Sequence, residues 1–263
     1  GVARAGRSAV TAIAEKGGTL TDMAAALGVS HLIDGEVRRN EHDIEVRIAL
    51  IDGQSGTEMR SDRVSGSIEH FFDGRKVISA NIIAAICSAL GLAATPMPSR
   101  TMTRDREAYA LYLQGRYMIQ RVGGAETYEK GIQLYEQALE IDPAFAECWT
   151  ALANAHIMTA ALTPSLKRLE QSAEGARCAE RALVLDSDQG HAYSILGIHE
   201  WTNFNPARAL ELAYEAYARD PNDADVCSRL GSCLLYLGKA KEALPFVEAA
   251  VDRDPVYARY HMM

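Results

Sequence analysis

The sequence predicts two architectures in one chain: an α+β N-terminal domain of antiparallel strands with packed helices, followed by an all-α superhelical solenoid. Three observations predict it. Two strand-type runs of period two lie within residues 27–57, a set of large, small and proline positions recurs at a constant offset of 34 residues toward the C-terminus, and a proline-containing aperiodic stretch separates the two regions. The expected boundaries are 1–92 for the front domain, 93–103 for a linker and 104–263 for the repeats.

In the front domain, Thr21 and Asp22 start a short Ala-rich helix that ends at Leu27, with Gly28 as its stop. Ile33, Gly35 and Val37 then alternate with Leu32, Asp34, Glu36 and Arg38, as a half-buried strand requires. After the polar link 39–43, Ile44, Val46, Ile48 and Leu50 alternate in the same way, and the turn-prone residues 52–56 lead to a third strand. The uncharged run 77–94 is long enough to span a membrane. Ile78, Ile82, Ile86 and Leu90 fall on one helical face within it, so residues 68–90 are expected to form a helix packed on the sheet. Residues 93–103 carry two prolines and no periodicity, as a linker does.

The repeat is the most specific signal. Tyr193, Leu196, Gly197, Ala209, Ala213, Ala216 and Pro221 recur as Cys227, Leu230, Gly231, Ala243, Val247, Ala250 and Pro255. Earlier copies contain Trp149, Leu152, Ala153, Gly175, Ala179 and Ala182, and Gly115, Gly131, Tyr135, Ala138 and Pro143; insertions of up to about ten residues are expected to lengthen their loops. Ser187 replaces the proline of one copy, and a fifth copy is expected to start at Tyr257. This pattern resembles the tetratricopeptide repeat, in which two antiparallel helices pack and then stop.

The stretch 27–58, with Leu27-Gly28-Val29, Asp34-Gly35-Glu36-Val37-Arg38 and Ser55-Gly56-Thr57, resembles the TolB-like amino-terminal domain that precedes such repeats in bacterial signalling proteins. Members of that family open with a further strand and helix, so the expectation is a truncated domain; Met59 and Arg60 stand where an aromatic residue is frequent. In relatives of this kind, a class III nucleotide cyclase domain or a winged-helix domain lies upstream.

Composition narrows the functional classes. A formal charge of −8 and a pI near 5.4, with 14 basic against 21 acidic residues after position 107, disfavour nucleic acid and anionic membranes as partners. The cysteines Cys87, Cys148, Cys178, Cys227 and Cys233 show no CxxC spacing and none pairs in sequence with a histidine as zinc ligands do. Buried thiols in a reducing cytoplasm account for them. No cofactor, metal or catalytic residue is expected: Gly17-Gly18-Thr19 lacks the P-loop lysine, Asp34, Glu36, Asp43 and Glu45 read as solvated strand residues, and His199 beside Glu200 has no third partner in sequence. Tyr109, Tyr112, Tyr117, Tyr128, Tyr135 and Trp149 read as core packing.

What remains is surface. The repeat resemblance implies that each first helix lines a concave groove, which places Glu147, Thr150, Asn154, Ile157 and Met158 there from one repeat. The next contributes His191, Ser194, Ile198 and Trp201, and the last full one Asp225, Ser228, Ser232, Leu235 and Tyr236. The expected partner is an extended or helical protein segment. Of the polar groups that hold acidic tails in carboxylate-clamp repeats, only Asn154 is expected on this face, so binding of free acidic C-termini is not expected. The resulting expectation is a non-catalytic scaffold of a signalling protein. Two further readings stay open: the regulatory part of a class III cyclase, or a homo-oligomerisation element acting through an open sheet edge.

Overall fold

The computed structural model describes residues 17–39, 43–67, 103–122, 125–163 and 165–254, with the single positions Val10, Ile13, Ala14, Cys87 and Gly91. The expected helix over 68–90 (Cys87 apart), the linker up to residue 102 and the fifth repeat lie outside the described residues. The chain divides into two compact units, Gly1–Ser99 with Asp254–Val256 and Arg100–Arg253 with Tyr257–Met263.

In the first unit, α1 (Leu20–Leu27) precedes β1 (His31–Arg39), β2 (Asp43–Asp52) and β3 (Glu58–Ser67). The cap of the helix lies two residues before Thr21, because Thr19 and Asp22 form a reciprocal capping box that satisfies two orphan N–H groups. Gly28 closes the helix at φ 65°, a left-handed conformation that glycine adopts without a Cβ clash. The strands pair antiparallel in the order β1-β2-β3, with Ile33 opposite Leu50, Val37 opposite Val46 and an irregularity at Leu50/Ile51. Burial concentrates at Ala49, Leu50 and Ile51. The turn after β2 crosses close to α1: the Gly53 amide donates to Ser30 O at 2.8 Å, and a Cβ on Gly53 would lie 2.8 Å from Ala24 Cβ. The half-buried character expected of β1 is not found, since its apolar residues Ile33 and Val37 are 57% and 63% exposed. Alternation set the strand period correctly, but burial follows the packing end near α1.

The second unit is a series of helix pairs: α2 (Arg106–Val122) with α3 (Ala125–Ile141), α4 (Ala146–Leu162) with α5 (Ser165–Leu185), α6 (Gly190–Thr202) with α7 (Pro206–Arg219), and α8 (Ala224–Tyr236) with α9 (Ala240–Arg253). The last two pairs keep the 34-residue period in detail. Asn205 caps α7 with Pro206 at its first position, Asp223 caps α8, and the turns inside the pairs use left-handed Phe204 (φ 59°) and Gly238 (φ 75°), which are 34 apart. The expected long loops in the first two repeats are corrected: the insertion lengthens helices, α4 to 17 and α5 to 21 residues, while only positions 163 and 164 fall between them.

Small residues let the paired helices approach. A Cβ on Gly115 would lie 2.6 Å from Tyr135 Cε1, one on Gly175 would lie 3.0 Å from Ala153 O, and one on Gly231 would lie 2.8 Å from Val247 Cγ2. Around these notches runs a core that includes Tyr112, Tyr135, Phe145, Leu152 and Ile195. Tyr112 and Phe145 stack at 4.9 Å with a 59° tilt, an arrangement that adds to their area burial. The aromatic set is therefore largely core, except Tyr117, which is 55% exposed. Among the described residues no helix is long and apolar enough to cross a membrane.

Candidate functional site

Three of the first helices of the pairs, α4, α6 and α8, each present one face to a shared concavity of about 400 Å³. From α4 come Ile157 and Met158; from α6 come Ser194, Ile198 and Trp201; from α8 come Asp225, Ser228, Ser232 and Tyr236. Nine sequence-predicted positions are thus brought together. The regular helix spacing of the last repeats explains why: residues three, four and seven apart share a face.

Its lining includes an aromatic pair. Trp201 and Tyr236 lie one on each of two successive first helices, with ring centroids 5.5 Å apart at 35°. Tyr236 is 73% exposed, so its ring offers surface to a ligand rather than to the core.

The five other predicted positions do not line the concavity. Thr150 hydrogen-bonds Gln189, and Glu147 buries both carboxylate oxygens. His191 Nε2 lies 3.4 Å from Asp223 Oδ2, and Leu235 packs on the cluster of Ala213, Leu230, Leu234 and Ala243. Asn154 accepts from Arg229 Nη2 at 3.0 Å, tying α4 to α8. Burial acts to raise the Asp223 carboxyl, but the hydrogen bond and charge of His191, the Val226 amide and Arg229 outweigh it and hold the group well below its ordinary value.

The sequence reading missed the cations. Arg168 of α5 and Arg229 of α8 both line the concavity, which corrects the expectation that only Asn154 would serve acidic groups there. The Arg229 side chain is only 14% exposed, lies 3.9 Å from Asp225, and buries Nη1 without a hydrogen-bond partner among the described residues. Ser194 Oγ is buried without a partner in the same way. The site therefore carries two arginines against one aspartate on a largely apolar wall.

His199 has partners that its sequence neighbours do not reveal. Asn203 Nδ2 donates to Nε2 at 2.9 Å, which leaves Nδ1 protonated and donating to Ser172 Oγ at 3.1 Å. In that tautomer the ring takes no proton from Ser172 and serves as a polar bridge between α5 and α6. No ligand spacing in the sequence marks the group, but His156, Glu174 and Cys178 place their ligand-type atoms within 4.8 Å of one another. The four cysteines of the array are all buried, and burial raises each thiol.

Residues 201–263 match the family model of the tetratricopeptide repeat. A curated protein of Rhizobium meliloti (strain 1021), named "Putative adenylate cyclase 3", is 26% identical over 144 residues, covering 54% of this chain and 24% of that protein. The chain thus matches about a quarter of the length of this relative. Among solved structures, TTC0263, a thermophilic TPR protein in Thermus thermophilus, is 12% identical at a TM-score of 0.51, covering 74% of this chain and 91% of the other. The Sgt2 TPR domain from Aspergillus fumigatus is 23% identical at a TM-score of 0.42, covering 56% of this chain and 88% of the other. The likeness to TTC0263 is one of fold: the stacked helix pairs form a tetratricopeptide-type array.

Proposed function

We propose that this chain is a non-catalytic scaffold whose concave face takes a protein segment. The observation that carries the reading is the groove that α4, α6 and α8 build around Trp201, Tyr236, Arg168 and Arg229. Aromatic rings and arginines are the residue types that dominate protein recognition. The segment that fits offers an apolar anchor to Trp201 and Tyr236 and an acceptor, a carboxylate or a backbone carbonyl, to the arginines. The acidic balance of the repeat half argues against nucleic acid and anionic lipid in the same place. The front domain we read as TolB-like and the whole as a cytoplasmic signalling module. The likeness to a quarter of a protein named as a putative adenylate cyclase supports reading the chain as a regulatory part of such a protein.

The test is selection of a random peptide library, displayed on phage, against the full chain. Enriched peptides are expected to share an apolar anchor beside an acidic residue. Each of Trp201→Ala and Tyr236→Ala is expected to weaken the selected peptides by about 2 kcal/mol, roughly thirtyfold in Kd. Peptides that bind both variants as well as the wild type contradict the reading.

A second reading rests on the sheet. Among the described residues β1 and β3 are the outer strands of the sheet, and Ile33 and Val37 on β1 are exposed, so strand pairing between copies is a route to homo-oligomers. Sedimentation at rising concentration tests it: a Val37→Lys variant should dissociate any dimer, and a wild type that stays monomeric removes the reading.

A further inference from the structure

We propose that His156, Glu174 and Cys178 form a transition-metal site, with zinc as the ion its donors suit best. The site lies between the two helices of one repeat, His156 on α4 and the other two on α5, and is independent of the groove reading.

Four features support it. Glu174 and Cys178 are four residues apart, one helical turn, so both side chains lie on the same face of α5 opposite His156. Their ligand atoms all fall within 4.8 Å of one another. Tetrahedral bonds of about 2.0–2.3 Å place ligands roughly 3.3–3.8 Å apart, so closure needs a movement of about 1 Å or less per side chain. Glu174, with its side chain 40% exposed and ion-paired to the exposed Arg177, can make that movement by releasing the arginine to solvent, and also leaves a route to solvent.

The second feature is orientation of the imidazole. Gln171, one turn before Glu174 on the same helix, accepts from His156 Nδ1 at 2.7 Å. This fixes the tautomer and leaves the lone pair on Nε2, the arrangement that outer partners of metal-bound histidines enforce. Third, the donor set balances charge. One thiolate, one carboxylate and a neutral imidazole neutralise a divalent cation, which suits a place where His156 is 7% and Cys178 3% exposed. Fourth, the mixture of sulfur, nitrogen and oxygen is that of zinc or cobalt rather than magnesium or calcium.

Without metal, burial pushes the Cys178 thiol up to about 12, so it is protonated at neutral pH. Metal binding converts it to thiolate with its proton passing to buffer, as such sites require. Three protein donors leave a fourth position for water. The bound ion would pin α4 to α5 within the helix pair that carries the long insertion.

The experiment is titration of the reduced, chelator-stripped full chain with Co²⁺, followed by displacement with Zn²⁺. The expected result is one equivalent of cobalt with tetrahedral ligand-field bands and a thiolate-to-cobalt charge-transfer band, lost on adding zinc. Cys178→Ala should abolish the charge-transfer band with helical content unchanged. Glu174→Gln, at a partly exposed position that leaves the core intact, should weaken zinc binding at least tenfold. Gln171→Leu should weaken it about 10- to 100-fold, which tests the orienting bond. Absence of a charge-transfer band in the wild type, or a band that survives Cys178→Ala, overturns the proposal.

Discussion

Replacing glycine by alanine inside a helix normally stabilises it, by about 1 kcal/mol, because alanine loses less backbone freedom on folding. The close packing of the helix pairs predicts the opposite sign at Gly115. A methyl group there would sit 2.6 Å from Cε1 and 2.9 Å from Cδ1 of Tyr135, and 3.2 Å from Gly131 O. Tyr135 is 2% exposed and packs on Tyr112 at 5.9 Å, so its ring cannot swing into solvent to make room. Overpacking of this kind costs about 2–3 kcal/mol. Against the propensity gain, Gly115→Ala should lose about 1–2 kcal/mol, a fall in Tm of roughly 2–8 °C for a unit of this size. Gly197→Ala is the internal control, because its methyl would meet Ala209 O at 3.3 Å, a slightly tight approach, and Leu212 Cβ at 3.6 Å, an ordinary one. The helix-propensity gain and the small tightness offset, so it should stay within about 1 kcal/mol of the wild type. Thermal melts followed by circular dichroism, with amide exchange read on α2 and α3, check both. A Gly115→Ala protein as stable as the wild type, or equal shifts at the two positions, would refute the reasoning.

Two further outcomes follow from the turns and caps. Phe204 holds φ 59° where the next repeat has Gly238, and its ring is 93% exposed, so Phe204→Gly removes strain without losing buried area. Thermal melts should show a gain of about 0.5–1 kcal/mol. Asp223→Asn keeps the helix cap but removes the charge that faces His191 and Arg229. The folded carboxyl lies below its ordinary 3.8, so its contribution is present above that value and is lost as pH falls through the lower folded value. Urea midpoints from neutral pH down to about pH 2 should show the wild type more stable at the start and the difference closing in acid.

The repeat half was legible because close helix pairing demands small residues at fixed places. Gly197, Ala209 and Ala216 recur as Gly231, Ala243 and Ala250, and all of Ala209, Ala216, Ala243 and Ala250 are buried. The insertion between Trp149 and Gly175 was legible as extra length but not as extra helix. Helix-forming runs around Thr163-Pro164 look alike whether they prolong two helices or form a loop. That ambiguity hid the register between α4 and α5, and with it both the meeting of His156 with Cys178 and the arrival of Arg168 in the groove. Arg229 was hidden for a different reason: it stands next to Ser228, off the expected stripe, and reaches across to Asn154. In the front unit, alternation located β1 and β2 but could not tell which end of the sheet α1 covers.

The groove reading is tested most directly by amide exchange on the full chain with and without a peptide obtained by library selection. The account predicts new protection on α4, α6 and α8, strongest around Trp201, Arg229 and Tyr236, with α7 and α9 unchanged. Protection on α7 and α9, or on β1 and β3 with the concave helices unchanged, would contradict it.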